Sequence, residues 1–167
     1  NPFSKVVYFR PDSKHKIMKQ FYNREPRFYA AFTFQNRRWD LDDKLVYYTD
    51  FSLNGNSGQA KNGHDYPRSG VLVRKKRTNV SGVNYYVYIR LSEIYLNYAE
   101  AQYYLGNEEE CRKAINVVRS REGVEMPPVT ASGTELLEKL RNERRIELSF
   151  ENQRYFDLRR WKIADEY

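Results

Sequence analysis

The chain has 167 residues, 31% of them charged and 40% apolar, with a formal net charge of +7. That length suits one domain with a real core, since domains usually run to about 100 to 200 residues. The 15 Tyr, 9 Phe and 2 Trp exclude a disordered chain, and no stretch is apolar for long enough to form a membrane-spanning helix.

The first half, to about Val87, reads as loops with short strands. It carries Pro2, Pro11, Pro26 and Pro67 and a polar Gly/Asn/Ser stretch from Asn54 to Gly63. Asn1 to Arg10 has no signal-peptide pattern, and without an initiating Met the amino terminus is expected to come from a longer precursor. Phe28 to Phe34 is β-prone, and Gly70 to Arg77 alternates enough for a second strand. Between them lies a loop holding Trp39, Tyr47, Tyr48 and Phe51. The run Arg74-Lys75-Lys76-Arg77 predicts a solvated strand edge, kept from aggregating by its charge, rather than a nucleic-acid patch. No arginine-rich arm or groove-reading motif accompanies the basic balance, so no nucleic-acid partner is expected.

The second half is helical. From Ile89, apolar residues recur at Leu91, Ile94, Tyr95, Tyr98, Ala101 and Leu105, one stripe in steps of three and four that ends at Gly106. Asn107 is placed to cap a second helix, with Glu108, Glu109 and Glu110 at its positive end and Arg119 and Arg121 at its negative end before Gly123. Cys111, the lone cysteine, shares an apolar face with Ala114, Ile115 and Val118 and reads as an inert core residue. A short Gly-Asn turn makes the two helices an antiparallel hairpin of tetratricopeptide-like type. After Pro127-Pro128, Ser132 and Glu135 have capping-box spacing for a third helix carried by Leu136, Leu137, Leu140, Ile146 and Leu148 and ending near Asn152. Tyr155 to Trp161 begins a fourth. The fold class predicted is mainly α, residues 1–87 irregular and 88–167 helical, together one domain of a longer protein.

Three blocks of this second half resemble the SusD/RagB family of outer-membrane nutrient-binding lipoproteins. They are Tyr88 to Ala101 with its Ala-Glu-Ala ending, Ile115 to Arg121, and Asn142 to Trp161; Glu25-Pro26-Arg27 and Gly70 to Lys75 add weaker support. The family usually has Asp at the position of Glu25 and Gly at that of Asn152; Glu keeps the charge, and Asn can keep a left-handed backbone. The similarity covers the carboxy-terminal third of a family member. It implies a cell-surface protein, lipid-anchored outside this fragment, that captures oligosaccharide and delivers it to a SusC-like TonB-dependent transporter, without a cofactor.

The residues themselves point away from catalysis. His15 and His64 sit in loop-like sequence with no metal-ligand spacing, and no nucleophile is paired with a base. Asp40, Asp42 and Asp43 could supply two carboxylates for glycoside hydrolysis, but Asp is common in capped turns, and that is the reading adopted. Asn79-Val-Ser81 matches a glycan-acceptor pattern that matters only in a eukaryotic secretory setting. The charged residues Glu143, Arg144, Arg145, Glu147, Arg154, Asp157, Arg159 and Arg160 are expected to hold two helices together, with Arg144, Glu147, Arg154, Asp157 and Arg160 as a structural ion-pair network. Tyr95, Tyr98 and Tyr104 are expected in the core or in packing between repeats rather than on a binding face. For sugar capture, stacking platforms belong on loops beside amide or carboxylate groups. The candidates are Trp39, Tyr47, Tyr48, Phe51 and Tyr66, with Asp42, Asn54 and Asn56 as polar partners. Two rivals are kept: a tetratricopeptide-like protein-interaction module that binds no sugar, and a glycosidase.

Overall fold

The computed structural model describes residues 16–40, 46–75 and 87–166. His15, Asp42, Asp43, Lys76, Arg77 and Asn79 to Ser81 lie outside the described residues, as do the side chains of Asp40 and Tyr47. The chain divides into two compact units, Asn1–Tyr86 and Val87–Tyr167.

In the first unit the β-prone stretch from Phe28 does not run as a strand throughout. Pro26 stands at the first position of helix α1 (Pro26–Ala31), where its fixed φ suits a helix and its missing N–H costs nothing. Strand β1 (Phe32–Phe34) follows directly and pairs antiparallel with β4 (Val71–Val73), Thr33 opposite Leu72. The aromatic residues that favour a strand on propensity are placed in the helix by packing. Phe21 stacks on Phe34 with ring centroids 4.4 Å apart, and Phe28 lies 5.1 Å from Phe32, one helical turn on. The Tyr29 hydroxyl donates to the carbonyl of Phe21 at 2.8 Å and accepts the Arg24 N–H at 2.7 Å, so the polar end of this buried ring is satisfied. A second ribbon, β2 (Arg38–Asp40) with β3 (Val46–Tyr48), sets Trp39 opposite Tyr47. A one-turn helix α2 (Gln59–Asn62) lies between β3 and β4 in sequence.

The second unit is built from α3 (Leu91–Tyr104), α4 (Glu108–Ser120), α5 (Gly133–Glu147) and α6 (Gln153–Arg160). Gly106 takes φ +81° in the turn between α3 and α4, a conformation nearly free for glycine and costly for other residues. The core comprises Leu96 and Ala99 of α3, Cys111, Ala114, Ile115 and Val118 of α4, Leu136 and Leu140 of α5, and Val129 and Leu148. Burial pushes the Cys111 thiol up to about 11, which makes it unreactive at neutral pH. The chain is thus mainly α, and no helix among the described residues is long and apolar enough to cross a membrane.

Four local expectations are corrected. The α3 stripe does not face this core: Leu91 and Leu105 are 67% and 71% exposed, and Ile94, Tyr98 and Tyr104 are exposed too. The helix turns Leu96, Ala99 and Glu100 inward instead, with Tyr95 and Tyr103 packed beside them. Neither predicted side-chain cap forms. The Asn107 amide donates to Gln102 Oε1, and the amino end of α5 is satisfied from α4, Gly133 N–H donating to Glu108 Oε1 at 2.9 Å. The third helix ends at Glu147 rather than near Asn152. Phe150 and Asn152 both adopt left-handed φ, 64° and 65°, which closes a tight turn; Asn152 keeps the geometry for which a glycine would be the usual choice. Finally, Arg74 is buried, not solvated.

Candidate binding site

The geometry around Trp39 explains why Arg74 is buried. Alternation in β1 turns the Thr33 side chain out of the Phe32–Phe34 sequence toward Thr49, just after β3, and the two hydroxyls lie 2.8 Å apart. The Trp39 indole Nε1–H donates to both, at 2.9 Å to Thr33 Oγ1 and 3.0 Å to Thr49 Oγ1. The Arg74 guanidinium lies 4.2 Å from the centroid of the same indole, a cation–π distance. Its own backbone N–H donates to the Ala31 carbonyl at 2.7 Å, which extends the β1–β4 pairing by one bond. Trp39 is half-buried and its orientation is fixed from three sides.

The loop after β3 is held by its own polar groups. Asp50 Oδ1 accepts from Gln35 Nε2 at 3.0 Å and from the Ser52 N–H at 2.9 Å; these bonds, Gln35 first, hold its carboxyl below the ordinary carboxylate value. Gln35 Oε1 in turn accepts the Phe51 N–H at 2.6 Å. Asn56 donates through Nδ2 to the Tyr48 carbonyl at 2.7 Å and accepts the Asp50 N–H at 2.9 Å. Gly58 is required by close approach, because a Cβ there would meet the Ser52 carbonyl oxygen at 1.8 Å. The result is a rigid loop presented by two short ribbons, the arrangement that binding surfaces commonly use.

Of the eight candidates, Trp39 and Tyr47 are paired in the backbone register of the β2–β3 ladder, and Tyr48, Phe51 and Asn56 are joined through the Asp50 loop. Asn54 is exposed at its tip. Tyr66 is half-buried with the Arg68 guanidinium 5.7 Å from its ring centroid. Asp42 is outside the described residues. Sequence reasoning missed Thr33, Thr49, Gln35 and Asp50, which do the positioning. The alternation of Thr33 between Phe32 and Phe34 was the one available signal.

The charged block of the second unit forms two connected clusters, with partners from α3, α4 and the residues that flank them. Arg144 makes a two-pronged contact with Asp157, Nε to Oδ2 at 3.0 Å and Nη2 to Oδ1 at 2.9 Å, and donates to Asn97 Oδ1 at 2.6 Å. Arg160 bonds Asp157 Oδ1 at 2.8 Å and both oxygens of Glu100, while Trp161 Nε1–H donates to Glu100 Oε1 at 2.8 Å. The second cluster centres on Glu147, whose side chain is 1% exposed. Its Oε1 accepts from Arg90 and from Arg121, each at 2.6 Å, and Arg90 also grips Glu151 at 2.7 Å. Arg119 reaches across from α4 to Glu143 at 2.6 Å. Arg154 is half-buried in the first turn of α6. Charges this deeply buried are tolerated only when paired and hydrogen-bonded, as these are. Among the described residues no three His, Cys, Asp or Glu side chains are grouped to hold a metal ion.

A helical scaffold pinned by buried ion pairs, with a rigid polar and aromatic loop on a separate unit, defines a mainly α protein. The chain belongs to the SusD/RagB family, whose model matches residues 9–167. It is also similar to the crystal structure of a SusD-like protein from Bacteroides fragilis NCTC 9343, with a TM-score of 0.70 and 36% identity. That alignment covers 87% of this chain and 29% of the solved one, so the chain spans less than a third of its solved relative's length. No curated protein matches it.

Proposed function

We propose that this chain is part of a cell-surface nutrient-binding protein that captures oligosaccharide and passes it to a SusC-like TonB-dependent transporter. Such a protein would sit on the outer membrane through a lipid anchor. The observation that supports this reading most directly is the family match, which runs through both units from residue 9 to residue 167. The chain is read as a binding protein rather than an enzyme.

The ligand site proposed is the Trp39 loop, with Tyr47, Tyr48, Phe51 and Tyr66 as aromatic surfaces and Asp42, Asn54 and Asn56 as polar partners. What favours it physically is preorganisation. An indole already fixed by Thr33, Thr49 and Arg74 loses little side-chain entropy when a pyranose ring stacks against it. The test is a glycan array followed by calorimetry on the whole protein and on Trp39→Ala. Loss of a stacking aromatic is expected to weaken binding at least tenfold, about 1.4 kcal/mol or more. Affinity unchanged in Trp39→Ala would remove this loop from the site.

A further inference from the structure

We infer that residues 126–131 form a strap that opens and closes against α4 as one unit, with Asn116 as its latch. In sequence Pro127-Pro128 only separates two helices; in the structure the residues from there on are gripped by α4. Arg119 Nε donates to the Pro127 carbonyl at 2.8 Å, Asn116 Nδ2 to the Val129 carbonyl at 3.1 Å and Arg112 Nη1 to the Ala131 carbonyl at 3.2 Å. The donors are spaced by four and three residues, which puts them on one face of the helix. The acceptors are alternate residues, met in the opposite order. Alternate carbonyls that face one way mark an extended chain, whose repeat of about 6.7 Å lies close to the rise of about 6 Å over four helical residues. Burial alternates likewise: Val129 is buried and Ala131 half-buried, while Pro128 and Thr130 are exposed.

Asn116 bonds the strap in both directions. Its Oδ1 accepts the Val129 N–H at 2.7 Å while its Nδ2 donates to the carbonyl of the same residue. A side-chain amide carries the acceptor and the donors of a peptide group, so Asn116 stands where a neighbouring strand would and gives Val129 the two-bond pairing of an antiparallel ladder. Pro127 and Pro128 have no N–H to give, which makes Val129 the first donor after Met126, whose own N–H reaches the Arg119 carbonyl at 3.0 Å. The two arginines also bond acids, Arg112 to Glu108 at 3.4 Å and Arg119 to Glu143 at 2.6 Å. Each keeps that partner when the strap leaves, whereas Asn116 and Val129 satisfy each other.

The strap is therefore built to open without stranding a charge. Its apolar hold is Val129, which joins the core cluster with Ala131 packed beside it. The helices on either side are held by the rest of that cluster and by the buried ion pairs. A segment with little buried apolar surface, fastened by side-chain bonds, opens at a lower free energy than the helices that carry it. The inference does not depend on ligand capture by the Trp39 loop.

Hydrogen exchange on the whole protein tests it. In the unaltered protein, which needs no variant to fold, exchange at the Met126 and Val129 amides should be slowed yet nearly independent of low denaturant. Exchange in the middle of α4 and α5 should instead quicken as denaturant promotes larger openings. Asn116→Ala should speed exchange at Val129 by about tenfold or more, through the loss of two hydrogen bonds, and leave α4 and α5 unchanged. Asn116→Asp should do the same at nearly the same size, since a carboxylate cannot donate to the Val129 carbonyl. The inference is overturned if the Val129 amide exchanges as fast as a free chain, or if it follows the denaturant dependence of the helices. It is overturned equally if either variant leaves Val129 slow, or quickens the strap and the helices alike.

Discussion

Glu100 would pass, on sequence alone, for a carboxylate on a helix surface, yet it is buried and receives Arg160 and the Trp161 indole. Burial by itself pushes its pKa up, but the bonds from Arg160 and Trp161 and the nearby charges of Arg160 and Arg144 outweigh that, and the net value lies below the ordinary 4.5. A carboxylate depressed in the folded state adds stability that is complete above its unfolded pKa and is lost as pH falls through its folded one. Stability should therefore decline below about pH 4.5 for this reason. Glu100→Gln weakens the contact with Arg160, which is half-exposed and keeps Asp157, and should cost about 2 kcal/mol at pH 7, with a flatter acid limb. Chemical denaturation of both proteins from pH 7 down to pH 3 measures it. An unchanged acid limb in the variant would show that Glu100 is not the group responsible.

At the scale of the element, the α3–α4 hairpin depends on one backbone position. Gly106 holds φ +81° with nothing within 4 Å of where a Cβ would sit, so Gly106→Ala creates no clash and tests backbone strain alone. It should destabilise the second unit by about 1 kcal/mol, read from the denaturation midpoint at unchanged slope. The existence of these helices was legible because their apolar residues recur at helical spacing. Which face of α3 turns inward was not, since both Leu91, Ile94, Tyr98 and Leu96, Ala99, Tyr103 satisfy that spacing. α1 was missed because the aromatic run from Phe28 favours strand locally, while Pro26 and the packing of Phe28 on Phe32 start a helix first. The charged block was visible as a block; its partners Glu100, Arg90 and Arg121 lie 26 to 60 residues away, beyond any local pattern.

At the scale of the molecule, the family was legible in three sequence blocks, and the match over residues 9–167 extends it through the irregular first unit. The candidate loop was legible only as a concentration of aromatic and amide residues. The bonds that orient it, from Thr33 and Thr49 to Trp39 and from Gln35 and Asn56 around Asp50, join positions 6 to 16 residues apart that no periodicity relates. The measurement that bears most directly on the account is hydrogen exchange of the whole protein with and without the oligosaccharide that binds best on the array. The account predicts slowed exchange at Arg38–Asp40 and across residues 46–58, abolished by Trp39→Ala. Tight binding with no change in those segments would contradict it.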